Sequence, residues 1–98
     1  MRKSLEDFIT PGKLYQFRKT DFVHNLHFDE MPGDLDGCVL SNNQVILILK
    51  LEVSTQSGQC RYKNYILTIL KDNRACESFF SETSIFEGIL FDTLHLIS

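Results

Sequence analysis

The chain has 98 residues, 43% of them hydrophobic, with eight Phe and three Tyr, 23% charged, and a net charge of −3. This length suits one domain that removes roughly 60 to 70% of its unfolded surface from water, and the composition excludes a disordered or fibrous repeat protein. The acidic balance lacks the basic excess of a duplex-DNA binder, and the longest apolar run, Val45 to Leu49, falls far short of the about 20 residues that span a bilayer.

Charge alternates along the chain. Residues 1–20 carry +3, residues 21–49 carry −5 with no Lys or Arg, residues 50–74 return to +3, and residues 75–98 carry −4. Glu6 and Asp7 follow Met-Arg-Lys where a signal peptide would place an apolar segment, so no secretion signal is expected. Cys38, Cys60 and Cys76 are odd in number and widely spaced, which suits reduced thiols and a cytoplasmic setting better than a disulfide framework.

Ser4 with Asp7 three residues on resembles a capping box, and Leu5, Phe8 and Ile9 keep helical spacing until Pro11-Gly12. The pattern predicts a short N-terminal helix within residues 1–10. Tyr15 and Phe17 then alternate, as do Phe22, His24, Leu26 and Phe28, which predicts two strands or one bent strand. Asp29 to Gly37 holds two glycines, a proline and four acids, the composition of an exposed loop. Cys38 to Leu40 is expected to pair briefly before Ser41-Asn42-Asn43 turns the chain.

Val45 to Val53 is rich in β-branched residues and predicts the central strand. Its odd positions, Val45, Leu47, Leu49, Leu51 and Val53, are all apolar, so one face is expected to be buried throughout. The even positions change from Ile46 and Ile48 to Lys50 and Glu52, which predicts a second face that becomes wet at Lys50 and carries charged gatekeepers against aggregation. A polar segment, Ser54 to Arg61, separates it from a second strand, Tyr62 to Leu70. Asp72-Asn73 suits a two-residue hairpin turn into a third strand, Arg74 to Phe80. Ser81 to Ser84 is expected to cap a helical turn through Ile85 and Phe86. Leu94-His95-Leu96 reads as a final strand, although Phe86, Ile89, Leu90 and Thr93 also fit a helix.

The elements predict an all-β fold (mainly β with a short N-terminal helix): a small SH3-like antiparallel barrel over residues 13–97, in one compact domain of residues 1–98. The alternative is an α+β fold, with helices packed on an antiparallel meander. Element order alone carries no function.

Chemical signatures are sparse. His24 and His27 stand near Asp21, Asp29 and Glu30, ligand types suited to a transition metal, but three-residue spacing on a strand sends two imidazoles to opposite faces. Asp34-Leu35-Asp36-Gly37 resembles part of a calcium loop, yet Val45 occupies the position of its closing Glu. Each cysteine would need His24, His27 or His95 within reach to become a nucleophile, and no phosphate loop, nucleophile elbow or zinc-type cysteine pair is present. No catalysis, cofactor or metal is therefore expected.

Two binding readings follow. The first is a non-catalytic intracellular protein-interaction module that meets a partner, in one form a basic one, through the acidic loop 29–37 (Asp29, Glu30, Asp34, Asp36) or through an exposed strand edge or hairpin at 50–63, an edge that would also allow a homo-oligomer. The alternative is a small barrel binding single-stranded RNA or DNA through Lys13, Arg18, Arg61, Tyr62 and Lys63, where cations and rings interleave. No membrane partner is expected.

Overall fold

A computed structural model describes residues 4–28, 38–55, 63–82 and 84–97. In chain order the elements are α1 (Leu5–Phe8), β1 (Leu14–Phe17), β2 (Leu26–Phe28), β3 (Cys38–Leu40), β4 (Val45–Thr55), β5 (Lys63–Lys71), β6 (Arg74–Ser81), α2 (Ile85–Thr93) and β7 (Leu94–Leu96). The protein is mostly β. Five strands form an antiparallel sheet in the order β6-β5-β4-β1-β7, and β2 and β3 form a separate two-stranded ribbon. Among the described residues no pairing joins β6 to β7 or the ribbon to the main sheet, so no closed barrel is formed among them.

The expected meander is present as β4-β5-β6. Its second turn is the two-residue hairpin at Asp72 and Asn73, both at positive φ, 50° and 66°, a conformation that Asn and Asp reach more readily than other non-glycine residues. The 85–97 ambiguity resolves into both elements. Ser84 caps α2 by accepting from Glu87 N at 3.2 Å, and Leu94 leaves the helix in extended conformation to begin β7. In α1 the cap differs from expectation: Ser4 Oγ donates to Asp7 Oδ2 at 3.0 Å and makes no side-chain bond to the helix backbone.

Both helices and the β2–β3 ribbon lie on one face of the main sheet. There Tyr15, Phe17, Ile46, Ile48, Tyr65, Leu67, Ile69 and Phe80 meet Leu5, Leu90, Leu94, Phe28 and Leu40 in one buried cluster. Ring contacts tie the layers together: Phe28 to Phe86 at 5.8 Å, Phe80 to Phe86 at 4.9 Å and Phe8 to Phe91 at 4.8 Å. Tyr15 is 1% exposed; its hydroxyl donates to Phe8 O at 3.0 Å and accepts from Thr10 N at 2.9 Å, fixing α1 against β1.

The β4 side-chain assignment needs correction. Ile46 and Ile48 are buried, whereas Val45 and Leu49 are 41% exposed, so the odd positions do not form one buried face. The register passes from Ile48 opposite Ile69 to Lys50 opposite Thr68, leaving Leu49 as a β-bulge. One unpaired residue exchanges the faces, so the inward side runs Ile46, Ile48, then Leu51 opposite Leu67 and Val53 opposite Tyr65, with Val53 itself 40% exposed and outside the core. Phe22 also departs from its expected alternation and is 94% exposed. Thr20 Oγ1 accepts from Phe22 N and Val23 N at 3.2 and 3.0 Å, a local hydroxyl turn that keeps this segment out of β2.

No helix among the described residues is long and apolar enough to cross a membrane.

Candidate functional site

The face of the sheet opposite the helices is the most distinctive surface. Directly opposed residues in an antiparallel pair share a face, so the register defines rows across it. Leu14, Leu47, Leu70 and Ala75 form one row from β1 to β6. Lys50, Thr68 and Glu77 form the next, and Glu52, Ile66 and Phe79 a third. Polar Ser54, Asn64 and Ser81 follow.

Neither helix nor ribbon covers this face. Phe79 is 63% exposed, and Leu14, Val45 and Leu49 are 37 to 41% exposed. Apolar rows left uncovered on one sheet face mark a contact surface more often than scattered single residues do. Lys50 divides the apolar rows and forms an ion pair with Glu52 on the same strand. Its ammonium is held above the usual lysine range chiefly by the hydrogen bond and charge of Glu52, with a further contribution from Glu77 across the sheet.

β1 pairs with β4 only at Val45 to Leu47. Among the described residues β4 from Lys50 to Thr55 therefore has a strand neighbour on the β5 side alone, so this part of the expected 50–63 hairpin is an edge among them. At the other side of the sheet, β6 has no second strand neighbour among the described residues. Its pairing with β5 is regular from Arg74 to Ser81, without a bulge.

The acidic-loop residues Asp29, Glu30, Asp34 and Asp36 lie outside the described residues, as do Arg61 and Tyr62 of the basic-aromatic set. The remaining basic candidates are not brought together. Ile48 N donates to Lys13 O at 3.1 Å, which fixes Lys13 beside Ile48, and Lys63 pairs with Thr55 at the far end of β4. That separation is roughly 23 Å at about 3.3 Å per strand residue. Arg18 lies toward the opposite end of β1, where its Nε donates to Gln16 Oε1 at 3.1 Å. Lys63 Nζ is bound to Glu6 Oε1 at 3.0 Å.

His24 and His27 are both exposed, and Leu26 and Phe28, either side of His27 in β2, point inward. Among the described residues no group of three or more His, Cys, Asp or Glu is placed to hold a metal ion. Cys38 and Cys76 are buried. They line a cavity of about 100 Å³ with Lys71, Asp72 and Arg74, where the ribbon meets the β5–β6 turn. Lys71 Nζ donates to Val39 O at 2.7 Å there, so this lysine links the ribbon to the main sheet. Cys60 lies outside the described residues.

The outer face was not singled out from the sequence, although a signal exists. Tyr62 to Leu70 carries Tyr65, Leu67 and Ile69 on one face, but Ile66 and Leu70 are apolar on the other, more than one wet face requires. Comparison with protein-family models, with curated proteins and with solved structures finds no match in any of the three.

Proposed function

We propose that this chain is a non-catalytic protein-interaction module whose contact surface is the uncovered face of its five-stranded sheet, flanked by the edges that β4 and β6 form among the described residues. The carrying observation is the half-exposed apolar surface formed by Leu14, Leu49 and Phe79, set opposite a face already filled by two helices and a ribbon. A sheet face of this composition gains free energy by being covered, at about 25 cal/mol per Å² of apolar area removed from water, before the costs of association are subtracted.

The test is site-specific photo-crosslinking in the cell of origin. A photoreactive residue placed at Leu49 or Phe79 is expected to give protein adducts well above those from position 22, a more accessible apolar site outside the sheet. Equal yields at all three positions remove the outer face from consideration.

A further inference from the structure

We propose that the occupant of the outer sheet face is a second copy of this chain, the two sheets packing face to face as a sandwich about a two-fold axis parallel to β5. The inference rests on the interaction-module reading and names the partner.

Two of the three central rows are complementary to themselves, while the third sets Glu52 of one copy opposite Phe79 of the second. A two-fold along β5 exchanges β4 with β6 and preserves the rows. Lys50 of one copy then comes opposite Glu77 of the second copy, and Glu77 opposite the second copy's Lys50, two charge pairs from one operation. In the adjacent row Leu47 meets Ala75, a large side chain against a small one, while Leu70 at the axis meets its own counterpart. Each row is defined by pairing within one chain, and a second copy matches the apolar row and the Lys50–Glu77 row by the same operation.

The area is sufficient. Three strands of about eight residues project roughly 14 × 26 Å, or about 370 Å². With side-chain relief taken as about twice the projection, two copies cover on the order of 1,500 Å², within the range of stable complexes. Stacked sheets lie about 10 Å apart, a gap that Leu47, Leu70, Ile66 and Phe79 are long enough to fill from both sides. Interfaces of this size bind with dissociation constants from about 10⁻⁶ M downward, set by their anchoring side chains and charge pairing rather than by area.

The test is a concentration series of the full chain by sedimentation equilibrium, from about 1 to 200 μM, which covers the micromolar end of that range. A reversible monomer–dimer equilibrium is expected. Lys50→Glu and Glu77→Lys each set like charges against one another and are expected to weaken the dimer at least tenfold, or about 1.4 kcal/mol. The double swap is expected to restore it to within about threefold, because opposite charges face each other again. Both side chains are at least partly exposed, and circular dichroism checks that each variant is folded. A wild type that stays monomeric at the highest concentration overturns the proposal. So does a dimer that the single changes leave intact, or one that the double swap does not recover. Adducts from positions 49 and 79 whose second component is a different protein would leave the interaction-module reading standing and this inference refuted; no adducts above the control refute both.

Discussion

Tyr65 and Glu6, 59 residues apart in the chain, are joined by a hydrogen bond from the phenol to Glu6 Oε1 at 3.0 Å. The same oxygen accepts from Lys63 Nζ at 3.0 Å, so one carboxylate on α1 holds two neighbouring side chains of β5. Burial is the main cause that raises the Tyr65 phenol well above its ordinary 10.0, and the bond to Glu6 adds to it; Lys63 is raised from 10.5 first by its bond to Glu6 and then by that carboxylate's charge.

Both groups retain their protons longer in the folded chain than in the unfolded one. Their contribution to stability is therefore complete below about pH 10 and declines as pH rises above it, since the unfolded state then binds fewer protons. Urea unfolding between pH 8 and 11.5 is expected to show stability falling from about pH 10, the reference value for Tyr. Tyr65→Phe is expected to cost about 1 kcal/mol at neutral pH through the lost hydrogen bond and to make the alkaline decline shallower. An unchanged slope in the variant would exclude Tyr65 as a source of the decline.

The hydroxyl of Tyr15 satisfies two backbone groups at the end of α1. Tyr15→Phe leaves the Phe8 carbonyl and the Thr10 amide without this partner in a region that is part-buried. The expected destabilisation is about 1 to 3 kcal/mol, read from the shift in urea midpoint at constant slope.

At the β4 bulge, two single-residue deletions are expected to behave oppositely. Removing Leu49 makes Ile48 and Lys50 adjacent, matching their partners Ile69 and Thr68, so every other β4 residue keeps its face and the chain is expected to fold. Removing Leu51 brings Glu52 opposite buried Leu67, inserting an unpaired carboxylate into the core at a cost of several kcal/mol. Circular dichroism melts of the two deletions separate these outcomes, and a folded Leu51 deletion would contradict the assigned register.

At the N-terminus of α2, Ser84→Ala removes the side-chain acceptor for Glu87 N. Loss of such a cap costs about 0.5 to 2 kcal/mol, and Ser84→Asp is expected to recover most of it. Thermal unfolding of the pair checks this; equal melting temperatures for wild type and Ser84→Ala would show that the cap contributes nothing.

What was legible in the sequence was local. Asp72-Asn73 announced its hairpin because few residue types accept consecutive positive φ, and alternating Tyr65, Leu67 and Ile69 identified the inward face of β5. The face exchange at Leu49 left no such trace: Val-Ile-Leu-Ile-Leu is apolar on both faces, and only pairing with β5 decides which leucine is surplus. Phe22 was misplaced because Thr20 captures two backbone amides locally, a competition that hydrophobic alternation ignores. The outer face became visible only once the helices and ribbon were all found on the opposite side. The acidic loop and the Arg61-Tyr62 segment lie outside the described residues, so the structure bears on neither.

β1 is bounded by β4 on one side and β7 on the other, and the backbone bonds from Arg18 N to Thr93 O and from Ile97 N to Leu14 O, 2.8 and 3.0 Å, close that second side. An early strand thus waits for residues near position 97 before its ladder is complete. During vectorial synthesis the meander assembles while β1 still lacks one neighbour, and truncation just before Leu94 is expected to loosen the beginning of the domain as much as its end.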